Sequence, residues 1–458
     1  MSEMPPHAAL DLEAFATALG SIAWSTERNF VRQKSRDFFW YSPILKARLD
    51  GCFGEIVVTP QSEDEVVAVA RLCAAHRLPL TVRGAGTGNY GQAVPLAGGV
   101  VLDMSEMTEV GDVINGTVSA GPGAKLKDIE AKTRPQGWEL RLYPSTRRTA
   151  TIGGFVAGGS TGVGAINHGL LVDGGIAGLR VVTVEAEPRI LELAGPEVNR
   201  VHHAYGTTGI ITQVRMPLEP AQDWVDIAAE FADFMELAQF CQAVGEDRTM
   251  AKKLVTAVAW PIPLYFRTLD AKFTDGAGVG LFMIAADSLP AFDRQLTRHG
   301  GREVYRATQT EATVRGQAPI YEYTWNHTTL QALKIDRGIT YLQTLFRAPR
   351  HLADIAEMIA MFGDELPMHL EFVTLGGQVC CFALQIVRYT TAERLAEIIR
   401  IHEERGFTIF NPHTFVLEDG GMKQTDPEQL AFKAVADPMG LLNPGKMRGW
   451  DADRPAPR

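Results

Sequence analysis

Cysteine is scarce in this chain and has no pattern. Cys52, Cys73, Cys241, Cys380 and Cys381 contain no C-x-x-C spacing. An odd, unpatterned set shows no disulfide framework, fits a reducing compartment, and reads as small buried hydrophobes. Long apolar runs are also missing. No stretch reaches the roughly 18 residues a membrane span requires, so none is expected. Basic charge is in deficit, with 44 Lys and Arg against 54 Asp and Glu, a net charge of −10 and a pI near 5.6. Nucleic acid is therefore not an expected partner. A local basic pocket for an acidic substrate remains compatible with that balance. Residues 1–20 carry Glu3, Asp11 and Glu13 and no basic leader, so no signal peptide is expected and the chain reads as cytoplasmic. Two phosphate-binding signatures are missing too. No G-K-[ST] follows a glycine loop, and the Rossmann spacing is broken, with Asn89 where its third glycine would fall.

Glycine, by contrast, is abundant in two places. A β-type run, LPLTV, leads into RGAGTGNYGQ, with Gly84, Gly86, Gly88 and Gly91 in one loop. Such a loop can take positive φ and aim several backbone N–H groups at an anion, most often a phosphate. By itself it could equally be a strand-to-loop turn. The second stretch, Thr149 to Gly164, reads TATIGGFVAGGSTGVG and adds Ser160 and Thr161 hydroxyls. Two such loops about 65 residues apart could close on opposite sides of one diphosphate, as an extended dinucleotide requires.

At 458 residues the chain is long enough for two or three domains, and 46% hydrophobic residues suffice for real cores. Residues 1–50 read as an N-terminal arm, with an amphipathic LDLEAFATALG and an aromatic DFFWYSPILKARL that packs on the main body. From there to about residue 220, strand-like and helical patterns alternate. EDEVVAVARLCAAHRL places Val66, Val69, Ala70, Cys73 and Ala74 on one helical stripe. Beyond Trp224, helical segments mix with β-like runs such as LFMIAAD and HLEFVTLGGQVCCFALQIV, which predicts an α+β domain with an antiparallel sheet. The tail from Asp451 reads as frayed.

Six landmarks then fall in one family's order. They are IVVTPQSEDEVVAVARLCAAHRLPLTVRGAGTG, VVLDMSEM, VSAGPGAKLKDIEAKTRPQGWEL, YPSTRRTATIGGFVAGGSTG, YGTTGIITQVRMPL and the terminal DPMGLLNPGKMRGW. Together they resemble the FAD-binding, PCMH-type flavoproteins of the vanillyl-alcohol oxidase / p-cresol methylhydroxylase superfamily. The resemblance implies an α+β fold: a two-part FAD-binding domain over 51–220, a substrate domain with an antiparallel sheet over 221–405, and a segment over 406–458 returning to the FAD domain. It assigns FAD contacts to Arg83, Gly84, Ala85, Gly86, Thr87, Gly88 and Asn89 of the first loop. Pro144, Ile152, Gly153, Gly154, Gly158, Ser160 and Thr161 follow in the second. Gly209, Ile211 and Asn443 complete the set. Arg83 has a plainer alternative as a strand-end salt bridge. The family's covalent tethers are a His and a Cys; here Thr87 and Ala150 stand at those positions, so noncovalent FAD is expected, apart from a link supplied by another domain.

The branch most resembled is the D-2-hydroxy-acid (glycolate and D-lactate) dehydrogenases, with departures. Asp419 stands where that branch's C-terminal metal segment has His. His369 and Glu371, on one face of a strand by the period of two, could join Glu418 in a weak metal site, but no metal is expected. The phenol- and alcohol-oxidising branch is the alternative, since PGKMRGW ends as its chains do. A flavin-binding scaffold without its own chemistry is the second alternative. The expected reaction is oxidation of a CH–OH group in a small organic substrate. O2, a quinone or an electron-transfer protein would reoxidise the flavin, and a homodimer is compatible with this reading. For catalysis, YEYTWNHTTLQALK and FNPHTFVLEDGG supply the candidates. His413 is the expected base, His327 the second, and Tyr323 and Glu418 orienting partners. The plainer reading of each His is a satisfied structural residue. His202 and His203 are adjacent, and on a strand they would point to opposite faces.

Overall fold

The computed structural model describes residues 12–422 and 424–451. The start of the arm, Lys423 and the tail beyond Asp451 lie outside the described residues. Short apolar β-branched runs build the first sheet. Strands Ile56–Thr59 and Leu80–Arg83 both pair in parallel with Val100–Asp103. Parallel pairing requires a crossover, and the helix Glu63–His76 supplies the first. Ser62 caps its start by accepting from the Glu65 N–H, and Arg77 in the left-handed conformation ends it. The buried residues of that helix are Val66, Val69, Ala70, Cys73 and Ala74, the stripe its spacing predicts. Strand Ala23–Ser25 of the arm adds antiparallel to Ile56–Thr59. At the other edge the backbone of Leu441 and Asn443 hydrogen-bonds Leu80, so strand Ala23–Ser25 and the segment Leu441–Asn443 flank this sheet.

A second, antiparallel sheet is organised around the long strand Ile210–Pro220. It pairs with Thr117–Ala120, Trp138–Leu140 and Gly178–Val182, and the last of these pairs with Ile190–Ala194. Pro217 and Pro220 lie within this strand. Their partners Thr117 and Trp138 stand at the ends of short strands, where a missing N–H costs little.

The third sheet has eight strands, and all its pairings are antiparallel. Strand Gly278–Ala285 shows how it is covered. Val279, Leu281 and Met283 face a core shared with the glycine-loop half, while Phe282 and Ile284 face helices Phe234–Glu246, Leu289–Arg298 and His351–Phe362. With both faces covered, every residue of that strand is buried. The hairpin His369–Leu375 / Gln378–Ala383 turns on Gly376 and Gly377, both at positive φ, as a two-residue turn demands.

A buried cation joins the halves. Lys253, on strand Lys252–Val258, donates to Glu139 at 2.5 Å, Glu219 at 2.8 Å and the Leu140 carbonyl at 2.7 Å. Removing one partner of such a cluster costs about 3–5 kcal/mol, because the remaining charge is stranded without water. Among the described residues no helix is long and apolar enough to cross a membrane.

Candidate functional site

Strand Leu80–Arg83 delivers the first glycine loop to a cavity of about 520 Å³. Gly86 takes a φ of +66° there. Beneath it lies the Arg83 guanidinium, which donates to the carbonyls of Lys34, Arg36 and Gly84. Arg83 thus lines the cavity while its guanidinium props the loop through these carbonyls. The second loop enters through Thr151 and helix Ile152–Gly158. The two loops touch, since a Cβ on Gly84 would lie 2.0 Å from the Thr151 hydroxyl. That buried hydroxyl has no hydrogen-bond partner.

The sequence-assigned contacts all line this one cavity except Ile152 and Asn443. Ile152 is wholly buried, its N–H on the Ala124 carbonyl. Asn443 donates to the carbonyls of Gln92 at 2.8 Å and Tyr205 at 2.6 Å, locking the returning segment onto the wall. Gly153 is needed for packing, because a Cβ there would strike Pro122. Gly154 has open space, with the Thr151 hydroxyl its sole neighbour, at 3.1 Å.

The four expected catalytic residues do not line the cavity. His413 is buried with both ring nitrogens engaged: Nε2 donates to the Tyr341 carbonyl at 2.9 Å, and Nδ1 accepts from Ser42 at 2.8 Å. Burial pushes its pKa down to about 4. His327 Nδ1 sits 3.0 Å from Glu322, and the Tyr323 hydroxyl is 2.7 Å from that of Thr268. Glu418 accepts from the backbone of Arg448 and Gly449 at 2.9 and 2.8 Å. The geometry therefore gives these residues structural partners instead of a substrate. Nor do His369, Glu371 and Glu418 meet. His369 Nε2 bonds Glu371 at 2.8 Å, and among the described residues no group of three His, Cys, Asp or Glu could hold a metal.

Other residues stand where those were expected. His202 and His203 lie in a turn, not a strand, and His203 takes a φ of +53°, so the alternation fails and both line the cavity. The His203 ring packs against Gly159 and Gly421, where a Cβ on Gly159 would lie 1.9 Å from it. Burial lowers its pKa to about 4, which leaves a neutral imidazole at neutral pH. At the same wall, Gln429 donates to the carbonyls of Asn199 and His202. Asn199 Oδ1, His202 Nε2 and Gln429 Oε1 are buried without partners. The eight-stranded half contributes Trp325, Asn326, Gln343, Phe382 and Phe410. Trp325 is strained, with φ 51° and ψ −142°, a posture costing about 1–3 kcal/mol. The polar density of YEYTWNH signalled this wall, although the weight fell on its tyrosines and histidine.

Residues 54–192 match the family described as FAD binding domain. The chain is 32% identical over 181 residues to the D-lactate dehydrogenase of Anaerostipes hadrus, covering 36% of this chain and 37% of that one. The D-lactate dehydrogenase of Archaeoglobus fulgidus is 30% identical over 196 residues, 41% and 43% of the two chains. The glycolate oxidase subunit GlcD of Bacillus subtilis is 28% identical over 175 residues, 36% and 37%. The matches span about two fifths of the length of these relatives. In fold, the chain resembles an alkyldihydroxyacetonephosphate synthase, with a TM-score of 0.71 at 14% identity, over 97% of this chain and 86% of that one.

The residues present fit FAD. The cavity has the size of a cofactor site, its glycine loops leave backbone within reach, and unpartnered polar atoms of Thr151, Asn199, His202 and Gln429 await a polar ligand.

Proposed function

We propose that the protein is an FAD-dependent oxidoreductase that oxidises the CH–OH group of a small hydroxy acid or alcohol. The observation that carries this reading is a single cavity with glycine loops on one side and the Trp325, Asn326, Phe382 wall of the other half opposite. Gly84 to Asn89, Thr151, Gly154 and the turn to Ile211 would hold the cofactor. When bound, FAD supplies a hydride acceptor for the substrate carbon. His203 takes the hydroxyl proton, its ring kept neutral by burial. The aromatic side chains of Trp325, Phe382 and Phe410 exclude water and orient the carbon. Those rings also favour a second reading, an aromatic alcohol as substrate. Anaerobic addition of D-lactate, glycolate and benzyl alcohol separates the two, because the true substrate class bleaches the flavin absorbance. A flavin that none of a broad alcohol and hydroxy-acid panel bleaches would leave a binding scaffold in place of an enzyme.

The cofactor is held without a covalent bond, since Thr87 and Ala150 offer no tether nucleophile. Acid denaturation should release a yellow supernatant. Yellow colour remaining in the pellet would point to the cavity's other nucleophiles, His202, His203, Tyr90 or Tyr205, as a link.

A further inference from the structure

Trp325 stands out on the wall opposite the glycine loops. It is 8% exposed, it is one of the residues lining the cavity, and its indole Nε1–H is buried without a partner. A bulky residue at positive φ needs something to hold it there. The holder is a buried carboxylate. Glu371, 1% exposed, accepts the Trp325 backbone N–H at 2.6 Å. The same Oε1 is 2.8 Å from His369 Nε2, and Oε2 accepts from the Thr256 hydroxyl at 2.6 Å. Thr256 and Glu371 are direct partners across two strands, so the anchor is fixed by the sheet itself. Behind it the Thr328 hydroxyl donates to the Tyr323 carbonyl at 2.6 Å. The sheet thus spends a buried, hydrogen-bonded carboxylate on the posture of one tryptophan.

From this we infer that Trp325 contacts the substrate, donating its indole N–H to an oxygen of the hydroxy acid or alcohol, and that Glu371, with His369 and Thr256, is its positioning residue. An unpaired buried donor costs free energy until an acceptor arrives. An oxygen-bearing ligand in this cavity is that acceptor, and an analogue lacking the oxygen is rejected because the donor stays unpaired. The inference rests on the oxidoreductase reading for the identity of its ligand.

The test uses flavin-loaded protein labelled with 15N at tryptophan. Trp325→Phe assigns the Trp325 indole signal. Oxalate and benzoate, which have no oxidisable CH–OH, probe binding, and anaerobic D-lactate, glycolate and benzyl alcohol probe reduction. The expected result is displacement of the Trp325 signal by one of the two anions. If a hydroxy acid bleaches the flavin, Trp325→Phe should raise KM about 10- to 100-fold, the worth of a hydrogen bond to a charged group; if benzyl alcohol does, the rise should be about 2- to 10-fold, the worth of a neutral one. Glu371→Ala should displace the indole signal before any ligand is added and raise KM similarly; Glu371→Gln, which keeps a carbonyl acceptor, should restore both. Thr256→Val is the milder variant, with a smaller displacement. An unmoved indole signal with a flavin that still bleaches overturns this inference alone. A displaced signal with no bleaching supports the contact and overturns the redox reading. Neither response overturns both.

Discussion

Gly154→Val should yield a folded, colourless protein. On helix Ile152–Gly158, a Cβ at residue 154 meets nothing but the Thr151 hydroxyl, at 3.1 Å. The chain can accept the side chain, so its methyl groups enter the cavity where the cofactor must lie. Gly86→Val fails differently. Its φ of +66° is strained for any β-branched residue, and its Cβ would lie 2.1 Å from Arg83 Nη2. Flavin-to-protein absorbance ratios and melting of the flavin-free proteins separate the cases. Gly154→Val should lose most of its bound flavin yet melt like flavin-free wild type, whereas Gly86→Val should also melt lower. Full flavin loading in Gly154→Val would place the cofactor elsewhere.

His203→Asn should load FAD and reduce it about 10²–10⁴-fold more slowly, the usual loss of a general base. The motive is geometric: with His202, it is one of two imidazoles lining the cavity, and its ring rests between Gly159 and Gly421. Of that pair, His202 is buried with its Nε2 enclosed, whereas His203 is only partly buried, so His203 is the ring within a substrate's reach. His413→Asn serves as the contrast. It removes two buried hydrogen bonds, to Ser42 and Tyr341, so it should lower thermal stability and change the reduction rate little. Stopped-flow reduction with the substrate that bleaches the flavin measures both. An unchanged rate in His203→Asn, or a collapse in His413→Asn with stability intact, would reverse the assignment.

What the sequence alone determined is local. Glycine density placed both loops, because positive φ and close backbone approach are written in residue type. The apolar stripe from Val66 to Ala74 placed the crossover helix, because helical periodicity is a short-range property. The mixture of helical and β-like runs foretold an α+β second half with an antiparallel sheet, and the landmarks' order pointed to FAD. Which polar side chains face the cavity was decided by tertiary structure. His413 looked catalytic beside Asn411 and Glu418, but Ser42, some 370 residues earlier, and Tyr341 take both its nitrogens. His203 looked like half of an uninformative pair until a left-handed turn brought both rings to one wall. Trp325 carries no signal in the sequence; a carboxylate on strand His369–Leu375, Glu371, fixes its backbone at the cavity. Each outcome depends on a partner far away in the chain, and a buried polar group is defined by that partner. Residue type and spacing carry no record of it.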